Sequence, residues 1–288
     1  MTFFEETLYN GEDGRLGHGY FQRYQIKQVL FEEKTEHQHL IIFENQHFGR
    51  VLALDGIVQT TEADECAYHE MLVHVPLFAL ESPKNVLIIG GGDGGALREA
   101  LKHSAESVTM VEIDPRVIDL CKEYMPSLSG GAFDHPRAKL IIADGIKFVA
   151  ETDQRFDAII VDSTDPIGPG EVLFSKAFYA ACKKCLTPGG VLITQNGVPF
   201  FQSEELTSSQ QKLRPLFEDV GCYLTVVPSY VGGFMALGWS TDDQNLRSVS
   251  VETLQSRFDR IGFKTEYYTP AIHAAAFALP AFIAKQSS

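Results

Sequence analysis

From Tyr20 to about Thr61 apolar and polar positions alternate with a period of two, in the runs YQIKQVLFEE, HLIIFEN, RVLALDG and IVQTT. That spacing predicts half-buried strands, and Glu44-Asn45, His47-Phe48-Gly49 and Asp55-Gly56 carry hairpin chemistry between them. The reading is a small antiparallel β-hairpin domain over residues 1–61, whose apolar face needs a neighbouring domain or a second subunit to cover it. From Glu62 to about Leu80 the period lengthens. Ala67, Met71, Val75 and Phe78 fall on one stripe of a helix that Ser82-Pro83 ends, so residues 62–83 read as a link.

Residues 84–288 change pattern again. Short apolar runs (Val86–Ile89, Val108–Val111, Lys139–Ala143, Phe156–Val161 and Gly190–Gln195) alternate with helical segments near 94–103, 115–124, 146–151 and 175–186. Strands separated by helices give an α/β fold with a doubly wound, mostly parallel sheet, whose ligands lie at the C-terminal ends of the strands. A helix over about Ser203–Val220, strands near Cys222–Pro228 and Phe234–Trp239, and a last helical and strand segment are expected to complete the sheet.

Chemistry enters at VLIIGGGDGG. Gly90, Gly92 and Gly95 satisfy G-x-G-x-x-G after a strand, a turn in which missing side chains let the backbone approach a ligand. Glu112 ends the next strand at roughly the 20-residue distance expected of a ribose-binding acid, while Asp114-Pro115 is suited to cap the following helix. Asp93 lies inside the glycine loop, where its carboxylate would oppose pyrophosphate by about 1 to 4 kcal/mol, so a dinucleotide is disfavoured and an adenosine ligand bearing positive charge fits better. By the strand-end rule Asp93, Glu112, Asp144 and Asp162 should share one edge of the sheet.

Composition narrows the setting. The formal net charge of −14 argues against a nucleic-acid backbone as partner and is compatible with a cationic substrate. No apolar run approaches the roughly 20 residues of a membrane span, and the acidic, glycine-containing opening is unlike a signal peptide. The five cysteines do not form a disulfide framework, which suits a reducing cytoplasm, and Cys182 and Cys185 read as a helix-packing pair. His69-Glu70 and His74 resemble a zinc-protease motif until counted. The second imidazole comes one residue too late and points about 140° away, so no metal site is expected.

The blocks HQHLIIFEN, FGRVLALDGIVQTTEADE, YHEMLVHVPL, VLIIGGGDGG, VEID, ADG, DSTDPIGPGEVLF, FYAACKKCLTPGG, PSYVGG and HAAAFALP extend from about residue 31 to 280. Through them the chain resembles the polyamine aminopropyltransferases, bacterial-type spermidine synthases above all. The resemblance implies a small N-terminal β domain and a methyltransferase-like Rossmann domain. It also implies transfer of the aminopropyl group of decarboxylated S-adenosylmethionine, a co-substrate rather than a cofactor, to putrescine, giving spermidine and methylthioadenosine. By motif match Gln38, Glu112, Asp144 and Gly145 would hold the adenosine part with Pro169 nearby, and Asp93 would meet the aminopropyl ammonium. Tyr68, His69, Gln59, Asp162, Asp165 and Tyr230 would surround the diamine. The family resemblance also suggests a homodimer or higher homo-oligomer. Ala63, Cys66 and Val231 depart from the common pattern and are expected to border the amine site.

The reaction needs a neutral amine, and an alkylammonium has a pKa near 10.4, so its neutral form lies roughly 4 to 5 kcal/mol uphill at pH 7. Asp162 is the candidate proton acceptor, with Tyr68 as its hydrogen-bonding helper and closure of the loop 165–170 excluding water. Three other readings stay open on the sequence: an adenosylmethionine-dependent amine N-methyltransferase, a non-catalytic nucleoside-binding protein, and a dehydrogenase. An aminopropyltransferase with a different preferred amine is a fourth.

Overall fold

The computed structural model describes residues 1–6, 21–35, 37–165 and 172–287. β1 (Thr2–Glu6) pairs antiparallel with β2 (Gln22–Ile26), and β3 (Gln28–Lys34), β4 (His39–Asn45), β5 (Gly49–Leu54) and β6 (Ile57–Thr61) form an antiparallel sheet in chain order. The run YQIKQVLFEE is therefore two strands in two sheets, broken at Lys27. β1 was not anticipated. Between β5 and β6 both turn residues have positive φ, 49° at Asp55 and 85° at Gly56, the backbone that makes Asp-Gly a tight hairpin turn.

Alternation along the four strands sorts their side chains onto two faces. Leu40, Ile42, Leu52 and Leu54 meet Val117, Leu120 and Cys121 of α3 (Pro115–Tyr124), together with Met125 and with Leu128 of the short α4 (Pro126–Ser129) beyond it. On the other face Ile41, Phe43, Val51 and Ala53 meet Tyr24, Phe4 and Ile26 of the β1–β2 ribbon. Of the two ways to cover such a sheet, a neighbouring domain or a second subunit, the described residues show the first: both apolar faces are packed within the chain.

α1 (Glu65–Ala79) is buried from Ala67 to Ala79 on every side, not along one stripe. It is enclosed by α2 (Gly95–Lys102), α8 (Val251–Ile261) and the large sheet, which leaves it no solvent face. Its C-terminal carbonyls, at Phe78 and Ala79, accept hydrogen bonds from Arg257 at 2.7 Å, which satisfies groups the helix cannot pair itself.

The large sheet holds β7 (Asn85–Gly90), β8 (Ser107–Glu112), β9 (Ala138–Ile142), β10 (Phe156–Asp162), β11 (Leu186–Gln195), β12 (Asp219–Val226) and β13 (Phe234–Thr241) in the order β12-β13-β11-β10-β7-β8-β9. The first five of these strands in sequence are parallel, while β13 is antiparallel to both β11 and β12. From β7 the chain moves outward through β8 and β9 and then returns to lay β10 on the other side of β7. That reversal is the switch point at which such sheets open a crevice. Both faces are packed, Leu87, Ile89, Ile159 and Leu192 against α5 (Gly145–Glu151) and α6 (Lys176–Cys185), and Ile88, Met110, Ile160 and Ile193 against α1 and α2. Cys182 and Cys185 belong to the first of these layers, and Cys185 Sγ donates to the Val149 carbonyl at 3.2 Å.

Two expectations for the C-terminal part are corrected. α7 (Ser203–Leu213) stops early because Pro215 follows Arg214 and disfavours a continued helix, and Val220 lies in β12. After β13 come α8, α9 (Pro270–Ala276) and α10 (Ala281–Gln286), with no strand among the described residues; Thr269 and Pro270 start α9 as cap and first residue.

Candidate active site

At the reversal point Gly90 pairs with Asp162 across β7 and β10, and the Gly91 amide donates to the Asp162 carbonyl at 2.9 Å. Gly90 has φ of 84°, and a Cβ there would stand 2.1 Å from that carbonyl oxygen, so only glycine lets the loop pass. The loop rims a cavity of about 360 Å³, a volume suited to a small organic ligand. Asp93, Glu112, Asp144 and Asp162, scattered in sequence, all line it, as do Gln38, Gly145, Gln59, Tyr68, His69, Asp165 and Tyr230. Pro169 lies outside the described residues, as does the rest of the loop beyond Asp165 up to residue 171.

On the β8–β9 side Glu112 is buried, and its Oε1 accepts from the Asp114 amide at 2.9 Å. Burial, against the hydrogen bonds from the Asp114 and Ile113 amides, pushes its carboxyl up to about 7. Asp114 caps α3 by accepting from the Arg116 amide and also accepts from Gln38 Nε2 at 3.1 Å, so Gln38 is oriented by a side chain outside the cavity wall. Asp144 caps α5 through the Ile146 amide at 2.8 Å. Between these polar groups Ile89, Val111, Ile113, Ile146 and Leu173 give apolar walls.

At the centre Asp162 Oδ1 accepts from the Tyr68 hydroxyl at 2.8 Å. Burial raises the Asp162 carboxyl to about 6, with the Asp93 charge adding to the rise and the His69 charge and the Tyr68 hydrogen bond opposing it. Asp93 is turned by its own loop, Oδ1 accepting from the Gly95 amide at 2.7 Å and Oδ2 lying 3.4 Å from His69 Nε2. His74 faces the opposite way, towards His103 and Glu99, so the two histidines of α1 serve separate neighbourhoods.

Beyond Asp162 the cavity continues to a second acidic end. Asp165 accepts from Gln195 Nε2 at 3.0 Å and from Gln202 Nε2 at 2.8 Å, and burial raises its carboxyl. Tyr230 donates to the Gln59 carbonyl at 2.6 Å, with its ring centroid 5.9 Å from that of Tyr68. Its loop is anchored to the start of α1 by Asp64, which accepts from the Ser229 amide at 2.6 Å. Glu6 completes this end and was missed in the sequence. It is buried, lines the cavity, accepts from the Val58 amide at 3.0 Å, and is raised to about 8 chiefly by burial, with the Asp165 charge adding to the rise. The signal lay in TFFEE, where period two puts Phe4 and Glu6 on the inward face of one strand. Of the three departures only Val231 lines the cavity; Ala63 is exposed and Cys66 half-buried, both off the wall, so the expectation that they border the amine end does not hold for those two.

The spermine/spermidine synthase domain matches residues 65–252, and the spermidine synthase tetramerisation domain matches residues 14–62. Polyamine aminopropyltransferase 1 of Pseudomonas aeruginosa is 55% identical over 284 residues, 98% of this chain and 96% of that protein. The polyamine aminopropyltransferase of Escherichia coli is 56% identical over 263 residues, 91% of each chain. Among solved structures, a spermidine synthase in complex with the transition-state analogue AdoDATO superposes with a TM-score of 0.91 at 35% identity, covering 99% of this chain and 94% of that one. The spermidine synthase of Thermotoga maritima gives 0.88 at 34% identity, covering 99% and 93%. With the glycine loop, the row of strand-end acids and the N-terminal sheet on one chain, and with these matches along nearly all of it, the protein belongs to the spermine/spermidine synthase family of transferases.

Proposed function

We propose that the protein transfers the aminopropyl group of decarboxylated S-adenosylmethionine to putrescine, forming spermidine and methylthioadenosine. The observation that carries this reading is a single cavity with acids at two ends and a half-buried, tyrosine-bonded Asp162 between them. The adenosine would lie between the apolar walls at Ile113 and Ile146, with its ribose hydroxyls on Glu112. Its sulfonium and aminopropyl ammonium would reach Asp93. The diamine would extend from Asp162 towards Asp165, Tyr230 and Glu6, two positive ends meeting two acidic groups. A carboxyl lifted to about 6 still ionises at neutral pH, yet it is a better base for the attacking ammonium than an ordinary aspartate. Once neutral, the amine nitrogen attacks the methylene beside sulfur, its lone pair forms the new C–N bond, and the C–S pair leaves with methylthioadenosine.

No lysine or arginine lines the cavity among the described residues, which further disfavours a pyrophosphate-bearing cofactor. A tetramerisation domain matching residues 14–62 supports a homo-oligomer. The free cysteines support a reducing, cytoplasmic setting.

Asp162→Asn is expected to lower kcat at least 100-fold while methylthioadenosine still binds near normally, measured by single-turnover kinetics and calorimetry. An unchanged kcat removes Asp162 from the mechanism. Supplying adenosylmethionine in place of its decarboxylated form should give no product, because the added carboxylate would face Asp93. Methyl transfer in that assay favours the methyltransferase reading instead.

A further inference from the structure

His69 is nearly solvent-free and sits between carboxylates, Glu65 Oε2 at 2.6 Å from Nδ1 and Asp93 Oδ2 at 3.4 Å from Nε2. An ionised carboxylate only accepts hydrogen bonds, so a ring facing carboxylates through both nitrogens is satisfied only with a proton on each. The ring also packs on the N-terminus of α2, where a Cβ added to Gly95 would lie 2.3 Å from it. Amides at that end favour anions, so an imidazolium there needs strong partners. Glu65 is held in turn by Arg98 of α2, whose Nη2 lies 2.9 Å from each carboxylate oxygen and whose Nε donates to Glu99 at 2.7 Å. Glu65 and Arg98 lie outside the cavity wall.

We infer that Glu65 is a positioning residue: locked by Arg98, it holds the His69 imidazolium, whose charge keeps the half-buried Asp162 ionised and able to accept the amine proton. This rests on the reading of Asp162 as proton acceptor. The groups acting on His69 are Glu65 from α1, Asp93 from the glycine loop and Asp162 from β10, with Arg98 of α2 behind Glu65 and the Tyr68 hydroxyl on Asp162. Both carboxylates that meet the ring favour its charged form, and burial opposes it. Replacing Glu65 by a neutral amide removes one of the two anions and leaves the Arg98 cation behind, so His69 shifts towards neutral. Asp162 then loses a nearby positive charge and holds its proton to higher pH.

The test is Glu65→Gln with the pH profile of kcat/KM for the diamine at saturating donor, alongside NMR of the His69 ring in the free protein. Wild-type His69 should carry both ring protons at pH 7.5, and the variant should titrate at lower pH. The acid limb should move up by about one pH unit from about 6, a loss of about threefold at pH 6.5 that approaches tenfold below pH 5 and vanishes by pH 9. On a His69→Gln background, Glu65→Gln should move the limb by less than about a third of a unit. A singly protonated wild-type ring at pH 7.5 overturns the inference even where the variant is too unstable to assay. So does a loss of activity equal at every pH, which marks Glu65 as structural. The ring titration needs no turnover, so a wild type lacking aminopropyl transfer would sink the proposed function while leaving the Glu65–His69 link separately judged.

Discussion

At the scale of single residues, the site contains acids whose burial costs stability until a cation arrives. Glu6 is the sharpest case, its carboxyl raised from 4.5 to about 8. The folded state therefore holds this proton more tightly than the unfolded chain does. Its contribution to stability is complete below pH 4.5, declines as the unfolded carboxyl ionises, and is gone once pH has risen through about 8. Glu6→Gln should accordingly raise the melting temperature of the empty protein at pH 8 and leave it near wild type at pH 4.5. The same change should raise KM for the diamine about tenfold with little effect on methylthioadenosine affinity. Scanning calorimetry at the two pH values and a KM comparison check this; a lower melting temperature at pH 8 would contradict it. Glu6 also marks the limit of what could be read from the residues. Asp93, Glu112, Asp144 and Asp162 were legible because each follows a strand of one parallel sheet, and topology alone gathers strand ends. Glu6, Gln195 and Gln202 reach the cavity through strand pairing and loop packing between distant segments, which no local pattern records.

At the scale of elements, α1 joins structure to chemistry through adjacent residues of one turn. Tyr68 and His69 face the cavity, while Glu70 faces away and accepts from the amides of Glu266, Tyr267 and Tyr268 at 2.8, 2.9 and 2.7 Å. Those bonds tie the C-terminal segment to the central helix. Glu70→Gln removes the charge and one acceptor oxygen, and should destabilise the fold by roughly 2 kcal/mol. Urea denaturation would report the loss, and a midpoint equal to wild type would show the clamp to be dispensable. The parallel strands and their helices were legible because apolar runs, glycine turns and caps recur at regular spacing. What escaped was decided by partners rather than by local pattern. α1 reads as a linking helix with one apolar stripe, yet neighbours enclose it on every side; the last segment reads as part strand, yet Thr269-Pro270 and the Glu70 clamp set it as helices.

At the scale of the whole molecule, charge is arranged as well as abundant. The chain carries a formal net charge of −14, and its cavity gathers Glu6, Asp93, Glu112, Asp144, Asp162 and Asp165 without a lining lysine or arginine among the described residues. A cleft of one sign with apolar walls draws in counter-charged ligands, and salt weakens that pull as the screening length shortens from about 30 Å at 0.01 M to about 8 Å at 0.15 M. Over that range kcat/KM for a diammonium acceptor, at saturating donor, should fall by roughly tenfold. Methylthioadenosine is uncharged, so its affinity should change by less than about twofold. The contrast should grow between pH 6.5 and pH 8.5, because Glu112 and Glu6, raised to about 7 and about 8, gain charge across that interval. Initial rates against salt at both pH values, with calorimetry on the nucleoside, separate steering from general effects of salt on the fold. Equal salt slopes for the diamine and the nucleoside would mean that the acids act only on contact, not in gathering the substrate from solution.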